Sequence, residues 1–197
     1  MLPIILGSTS PYRREILKKL RLTFHTASPN IDETPQAAES AHTLVKRLAE
    51  EKALAVAKQY PNALIIGSDQ VAVLGEHILG KPKQHDEAVR QLTTCSGKTV
   101  RFLTGLALYN SQTQRMQSLV DPFDVSFKTL TPQEINAYLL ADLPYQCAGS
   151  FRSEGLGIYL FDALHGSDPN SLVGLPLIQL ISLLKNEGVS ILSIETP

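Results

Sequence analysis

The stretch Pro3-Ile4-Ile5-Leu6-Gly7-Ser8-Thr9-Ser10-Pro11-Tyr12-Arg13-Arg14 predicts a strand, a tight turn and a helix. Residues 4–6 are apolar and branched and end at Gly7, which is typical of a short buried strand. Ser10 followed by Pro11 is a favoured helix start. Backbone N–H groups of such a turn and of the helix start face one point, so we expect Ser8 and Ser10 to line an anion site.

Arg13 lies on the apolar face of this predicted helix. It shares that face with Ile16, Leu17 and Leu20, because helical residues three and four positions apart are neighbours. The first turn of a helix favours negative charge, so a cation there is poorly placed unless an anion is bound. Guanidinium pairs bidentately with phosphate or carboxylate. Arg13 therefore either binds an anion at the turn or extends its charged head into solvent.

Length and composition favour one globular domain of 197 residues, with or without two lobes around a cleft. Hydrophobic residues make up 43% of the chain, charged residues 19%, and the net charge is -1, which argues against disorder and against a long nucleic acid as partner. No apolar run approaches the roughly 20 residues of a membrane helix, and no signal peptide is evident. We expect a cytoplasmic protein without a membrane partner, in which Cys95 and Cys147 are reduced structural thiols.

Hydrophobic periodicity predicts strands and helices along the whole chain. Beyond the opening unit, strands are predicted at 22–27, 63–67 continuing into 71–74, 78–79, 99–108, 117–127 and 158–161. Helices are predicted at about 43–60, 84–95 and 131–141, and a last helix follows Gly174-Leu175-Pro176 with Leu177, Leu180, Ile181 and Leu184 as its core face. Residues 168–170 read as a turn, and 148–157 as an irregular, glycine-rich loop.

Two lysines are candidates for phosphate binding. Lys52 interrupts the apolar face of helix 43–60, between Leu48 and Val56. Its stem either covers apolar surface with the ammonium in water, or its ammonium reaches into a cleft toward phosphate. Lys81 lies in the turn Gly80-Lys81-Pro82, where by itself it would be exposed to solvent.

Two acidic positions are candidates for cation binding. Asp69 lies between the apolar segments 63–67 and 71–74. A buried carboxylate is costly unless a cation, a set of donors or a metal accompanies it, so Asp69 needs such a partner. Asp32 and Glu33 follow a predicted strand, where they either bind a cation or begin a turn.

These residues together suit phosphate and a divalent cation. Carboxylates hold hard ions such as Mg²⁺, while arginine and lysine neutralise phosphate oxygens. The chain contains neither GxxxxGK[ST] nor GxGxxG, so a Walker-type ATPase and a Rossmann dehydrogenase are not supported. A nucleophile-elbow motif for Ser-His-Asp chemistry is also missing.

Seven short segments form a recognisable set. In chain order they are Ser8-Thr9-Ser10-Pro11-Tyr12-Arg13-Arg14, Asp32-Glu33-Thr34, Glu51-Lys52-Ala53, Gly67-Ser68-Asp69-Gln70, Gly80-Lys81-Pro82, Ala148-Gly149-Ser150 and Gly174-Leu175-Pro176. The set resembles the Maf family of nucleotide pyrophosphatases and spans nearly the whole chain. The resemblance implies an α/β fold like that of Maf proteins and ITPases: one domain over 1–197, with a mixed central sheet flanked by helices and two lobes around a cleft.

The resemblance also implies an activity, a cofactor and partners. Such enzymes are cytoplasmic, often form homodimers, and use Mg²⁺ or Mn²⁺ to hydrolyse a nucleoside triphosphate to the monophosphate and pyrophosphate. Asp69 would be the catalytic acid, acting either as a base toward water or through the metal, and Glu33 would help to hold the metal. The triphosphate would be bound by Ser8, Ser10, Arg13, Lys52 and Lys81.

Three further positions distinguish subgroups of this family. Tyr12, Gln70 and Glu154 resemble the 7-methylguanosine triphosphate subgroup, although tryptophan is frequent there at the position of Tyr12. N7-methylation makes guanine cationic, so it should stack on an aromatic ring and pair with a carboxylate; tyrosine is a weaker partner than tryptophan. The open alternatives are a pyrophosphatase for dTTP and UTP, one for ITP, and a nucleotide-binding regulator of cell division without turnover.

Overall fold

The computed structural model describes residues 2–192 of the protein. Seven strands are found, β1 (Ile4–Gly7), β2 (Phe24–Ala27), β3 (Leu64–Leu74), β4 (His77–Leu79), β5 (Thr99–Asn110), β6 (Arg115–Phe127) and β7 (Phe161–Gly166). The α-helices are α1 (Pro11–Lys18), α2 (Ala41–Ala57), α3 (His85–Cys95), α4 (Pro132–Asp142), α5 (Pro169–Val173) and α6 (Leu177–Asn186). No helix between residues 2 and 192 is long and apolar enough to cross a membrane.

All seven strands form one mixed sheet. Its order is β2, β1, β3, β5, β6 and β7, with β4 paired to β3. β1 runs parallel to β2 and β3, whereas the pairs of β3 with β5, β5 with β6 and β6 with β7 are antiparallel. The predicted α/β class, with a mixed central sheet flanked by helices, is confirmed. The single-domain prediction for 1–197 stays a prediction, and residues 1 and 193–197 lie outside the described residues.

A gap along one edge of β3 positions the site. β5 pairs with the other edge along residues 64–73. On the first edge, β1 pairs with residues 64–67 and β4 with residues 72–74. Within the described chain, residues 68–71 therefore have no strand beside them on that edge. β1 ends here at Gly7 and the chain turns into α1, so a cleft opens over Asp69 and Gln70.

The core lies on both faces of the sheet because successive strand residues point to opposite sides. Ile4 and Leu6 pack in a cluster with residues of α1 and α6, while Ile5 packs in a second cluster with Ala49, Ala53 and other residues of α2. A third cluster joins α3 and α4 to the far strands. Within it four phenylalanine rings make edge-to-face contacts, with centroids 4.8 to 5.5 Å apart: Phe102, Phe127, Phe151 and Phe161.

Most predicted elements are confirmed, including the helix start at Ser10-Pro11 and the capping box at Thr131. α2 begins two residues before the predicted start because Ser40 caps it, its Oγ accepting from the Thr43 N–H at 3.1 Å, and it ends three residues before the predicted end. On α6, Leu183 is buried and Ile181 is exposed, so the predicted core face was wrong at that position.

The predicted strand at 158–161 was wrong. Residues Leu156–Leu160 form a 3₁₀-helix, and β7 begins only at Phe161. Gly157 and Leu160 are both buried, whereas Ile158 and Tyr159 are 55% and 52% exposed, which is the three-residue period of a 3₁₀-helix. The predicted turn at 168–170 is the start of α5, whose N-cap is Asp168.

Two glycines let α2 lie directly against the sheet. A Cβ added to Gly67 of β3 would stand 2.0 Å from the Ala49 carbonyl oxygen, and one added to Gly105 of β5 would stand 2.1 Å from that of Val45. Both oxygens belong to the α2 backbone, which cannot yield as a flexible side chain does. The short distance between α2 and β3 allows Lys52 to reach Asp69.

We expect Gly67→Ala to lower the free energy of unfolding by about 1–3 kcal/mol, because the new methyl group must push the α2 backbone away from β3. Urea denaturation followed by circular dichroism measures this loss. Gly80→Ala is the matched control, since nothing lies within 4 Å of its added Cβ. Equal loss in both variants would contradict the importance of the helix–sheet contact.

Candidate active site

The cleft at the gap in β3 has a volume of about 650 Å³. Its walls come from the turn before α1, from β3, from the segment after β4 and from the loop around residues 146–154. All ten residues predicted from the sequence line this one cleft: Ser8, Ser10, Tyr12, Arg13, Glu33, Lys52, Asp69, Gln70, Lys81 and Glu154. The structure thus brings together positions from the whole length of the chain. Their individual roles stay predictions.

The turn before α1 has the expected capping geometry. Ser10 Oγ accepts from the Arg13 N–H at 3.4 Å, and Ser8 Oγ accepts from the Ser10 N–H at 3.1 Å. Neither hydroxyl donates to another group in the described part of the chain, so both protons remain for a ligand. Ser8 is buried at the base of the cleft.

Arg13 is anchored in the cleft wall. Its Nε donates to the Gly174 carbonyl oxygen at 2.8 Å, and Ser68 Oγ donates to the same oxygen at 2.8 Å. Burial lowers the pKa of the Arg13 guanidinium, an effect that the nearby charges of Asp69 and Glu33 oppose. The terminal N–H groups of Arg13 make no hydrogen bond to the chain between residues 2 and 192, so they remain for an acceptor in the cleft.

Lys52 bridges the two predicted metal-binding carboxylates. Its Nζ lies 2.6 Å from Asp69 Oδ1 and 2.7 Å from Glu33 Oε1. Lys52 and Asp69 are only 5% and 8% exposed, so the ammonium is the cation that the buried Asp69 required. Burial raises the pKa of Glu33, but the hydrogen bond from Lys52 and the charges of Lys52, Lys81 and Arg13 together lower it below its usual value.

The donor set fits a divalent cation bound jointly with a substrate. Glu33 and Asp69 converge on one point, which the Lys52 ammonium shares. Among residues 2–192 no group of three His, Cys, Asp or Glu side chains could hold a metal alone. Mg²⁺ is commonly bound through one or two carboxylates together with substrate phosphates. Two carboxylates that line a cleft with basic residues are consistent with that mode.

The three predicted specificity residues also line the cleft. Gln70 is fixed by its amide, since Nε2 donates to the Ser171 carbonyl at 2.7 Å and to Thr104 Oγ1 at 2.9 Å. Tyr12 is 38% exposed. Glu154 is exposed and accepts only from Ser153 Oγ, at 3.4 Å, within residues 2–192. Its carboxylate faces the cleft without a cationic partner in that part of the chain.

Sequence reasoning missed an ion pair in the loop that carries Glu154. Arg152 Nη2 contacts Asp142 Oδ1 and donates to the Asp142 carbonyl at 2.9 Å, while Arg152 Nε donates to Oδ2 at 3.3 Å. Tyr138 joins the pair, its hydroxyl donating to Asp142 Oδ2 at 3.0 Å. The available signal was an arginine inside a glycine-rich loop, but nothing local identified its partner at the end of α4.

The two cysteines differ in position. Cys95 is fully buried, and burial raises the pKa of its thiol to about 12, as suits a structural residue. Cys147 lines the cleft near Glu154, and burial, together with the Glu154 charge, raises the pKa of its thiol. Both thiols are free, and neither is poised as a thiolate.

The fold and the cleft define an α/β protein in which basic and acidic side chains line one cleft. The family described as Maf-like protein matches residues 3–187. The chain is 58% identical over 193 residues to the 7-methyl-GTP pyrophosphatase of Colwellia psychrerythraea, covering 98% of this chain and 96% of that relative. It is 56% identical over 197 residues to the 7-methyl-GTP pyrophosphatase of Pseudomonas fluorescens Pf-5, covering both chains fully. The protein therefore belongs to the Maf family.

A solved structure supports the fold. The Staphylococcus aureus Ham1 protein superposes with a TM-score of 0.54 at 13% sequence identity, covering 94% of this chain and 99% of that chain. At that identity the likeness concerns the architecture alone.

We expect Lys52→Met to cost about 3 kcal/mol of stability, because removing one partner of a buried ion pair leaves Asp69 uncompensated beside Glu33. Chemical denaturation at neutral pH measures the loss. Lys46→Met, which breaks only an exposed pair with Glu50 at 3.6 Å, is the control and should cost much less. The double variant Lys52→Met/Asp69→Asn should recover part of the loss. Equal costs for Lys46→Met and Lys52→Met would contradict the assignment.

Proposed function

We propose that the protein hydrolyses a nucleoside triphosphate to the monophosphate and pyrophosphate, with 7-methyl-GTP as its preferred substrate. The observation that carries this proposal is the convergence of Arg13, Lys52 and Lys81 with Asp69 and Glu33 in one cleft. The names of relatives at 56% and 58% identity over nearly the whole chain support the same activity and the same nucleotide.

The triphosphate occupies the end of the cleft at the start of α1. Ser8 and Ser10 offer hydroxyl donors, and the helix start offers backbone N–H groups. Arg13 offers its free terminal N–H groups, since its Nε is held by Gly174. Lys81 is exposed at the rim, so its flexible ammonium can follow phosphate oxygens as they move.

Glu33 and Asp69 would hold Mg²⁺ or Mn²⁺ beside the triphosphate. Such a cation, when bound, polarises the phosphoryl group and stabilises charge that develops on its oxygens. Lys52 keeps its bond to Asp69 Oδ1 and has three N–H donors, so its ammonium can also donate to a phosphate oxygen.

Asp69 directs the water that attacks the α-phosphorus. Its Oδ1 is bound to Lys52, and Oδ2 has no hydrogen-bond partner within residues 2–192, so Oδ2 can accept from water. Attack forms a P–O bond to the water oxygen, whose proton passes to Asp69 Oδ2, and breaks the bond between the α-phosphorus and the bridging oxygen. Pyrophosphate leaves with that oxygen, and the lysines and Arg13 neutralise its charge.

The base is read by Tyr12, Gln70 and Glu154. N7-methylated guanine is cationic, so its ring stacks on Tyr12 and is attracted to the Glu154 carboxylate. The side-chain amide of Gln70 donates to the Ser171 carbonyl of α5 and to Thr104 Oγ1, so its own Oε1 is left to accept from the base.

Pyrophosphate detection with 7-methyl-GTP tests the reaction. We expect one pyrophosphate per nucleotide in Mg²⁺ or Mn²⁺, suppressed by EDTA, and a loss of at least about 100-fold in kcat for Asp69→Asn. The exposed Asp86→Asn is the control and should retain activity. Release of inorganic phosphate would contradict the bond cleaved, and tight binding without turnover would favour a regulatory protein.

A nucleotide panel tests the substrate. We expect kcat/KM for 7-methyl-GTP to exceed the values for GTP, dTTP, UTP and ITP, and Glu154→Gln to reduce the preference over GTP by about tenfold, because it removes the attraction to a cationic base. Glu76→Gln, at an exposed turn, is the matched control. Equal rates on all nucleotides would contradict the assignment.

A further inference from the structure

The ion pair of Asp142 and Arg152 shapes the loop that carries Glu154. Besides the contacts to Asp142, the Arg152 N–H donates to the Tyr138 hydroxyl at 3.0 Å, so both backbone and side chain of Arg152 are held by α4. The loop then folds back over the pair. A Cβ on Gly155 would lie 3.0 Å from Asp142 Oδ1, and one on Gly157 would lie 2.2 Å from the Arg152 carbonyl oxygen.

Arg152 lies two residues before Glu154 in the loop that α4 holds. Its guanidinium is bound to Asp142, and this hydrogen bonding raises the pKa of Arg152. Cα atoms two positions apart along a chain are at most about 7 Å from each other. The long side chain of Arg152 can therefore reach the Glu154 carboxylate if Arg152 loses its present partner.

Asp142 is ionised and forms an ion pair with Arg152. Burial alone would raise the pKa of Asp142, but hydrogen bonds from Arg152 and Tyr138 lower it below its usual value. The side chain of Asp142 is 6% exposed, so its charge is neutralised by Arg152 rather than by solvent. Arg152 is 33% exposed and can move once released.

We propose that Asp142 is a positioning residue for substrate specificity: by binding Arg152 it keeps the guanidinium away from Glu154, whose carboxylate then stays free to attract a cationic base. This inference rests on the proposed function and deepens it. A released Arg152 would lower discrimination in two ways. It would occupy Glu154 in an ion pair, and its own charge would repel the methylated base. Neutral guanine carries no net charge, so the loss of the Glu154 attraction and the repulsion by Arg152 would change its binding much less.

Asp142→Asn tests the proposal through the ratio of kcat/KM for 7-methyl-GTP to that for GTP. The ratio should fall about tenfold, which is comparable to the loss of one cation–π or ion-pair contact. Almost all of the fall should come from a lower kcat/KM for 7-methyl-GTP. The double variant Asp142→Asn/Arg152→Gln should restore the ratio because no guanidinium remains to capture Glu154. Arg152→Gln alone should keep it.

Tyr138→Phe separates specificity from stability. It removes the hydrogen bond to Asp142 and the one from the Arg152 N–H, but it leaves the ion pair of Asp142 with the Arg152 side chain. It should therefore lower the melting temperature while the ratio stays unchanged. Equal losses on both nucleotides in Asp142→Asn would overturn the proposal, because a merely structural residue affects both substrates alike. Loss of preference in Arg152→Gln would overturn it too, since Arg152 would then read the base itself.

Calorimetric binding of 7-methyl-GMP and GMP provides the same comparison without turnover. The wild type should bind 7-methyl-GMP more tightly, and Asp142→Asn should bind the two nucleotides with nearly equal affinity. If the wild type discriminates in binding but releases no pyrophosphate, the proposed reaction fails and this inference stands. If Asp142→Asn discriminates as well as the wild type, the inference fails and the proposed reaction stands. Equal binding by the wild type overturns the inference together with the proposed preference.

Discussion

The contact of the α2 backbone with β3 and β5 is the constraint on which the cleft depends. It exists because Gly67 and Gly105 carry no side chain where the helix carbonyls of Ala49 and Val45 approach. At that short distance a lysine on α2 reaches an aspartate in the middle of β3. The gap left between β1 and β4 then exposes the resulting ion pair to the cleft. Helix packing and strand pairing together thus produce a charged site inside an apolar sheet.

Two groups of charged residues at the site are balanced separately. In the first group the ammonium of Lys52 pairs with Asp69 and Glu33, and Arg13 adds a further cation. In the second group Arg152 pairs with Asp142, and the carboxylate of Glu154 has no cationic partner within residues 2–192. A ligand with both an anionic and a cationic part matches these two groups. A 7-methylated guanine nucleotide has that distribution of charge.

Features governed by local chemistry were predicted well from the sequence. The caps at Ser10 and Thr131 depend on residues three positions apart. The apolar neighbours of Asp69 predict its burial, and a buried carboxylate costs free energy unless a partner compensates its charge. Features decided by distant partners were not predicted. The 3₁₀-helix at Leu156–Leu160 and the pairing of Arg152 with Asp142 depend on how the loop packs against α4. Convergence of the ten residues in one cleft was implied by family resemblance and not by periodicity.

The carbonyl oxygen of Gly174 joins parts of the chain that are far apart in sequence. It accepts from Arg13, 161 positions away along the chain, and from Ser68, 106 positions away. The hairpin of β5 and β6 closes a loop of only four residues, 111–114, so its loop-closure entropy cost is small. The contact of Arg13 with Gly174 closes nearly the whole chain, so its entropy cost is larger. Arg13 is therefore anchored only where α1 meets the end of α5, so its position depends on closure of the whole chain and not on any local turn.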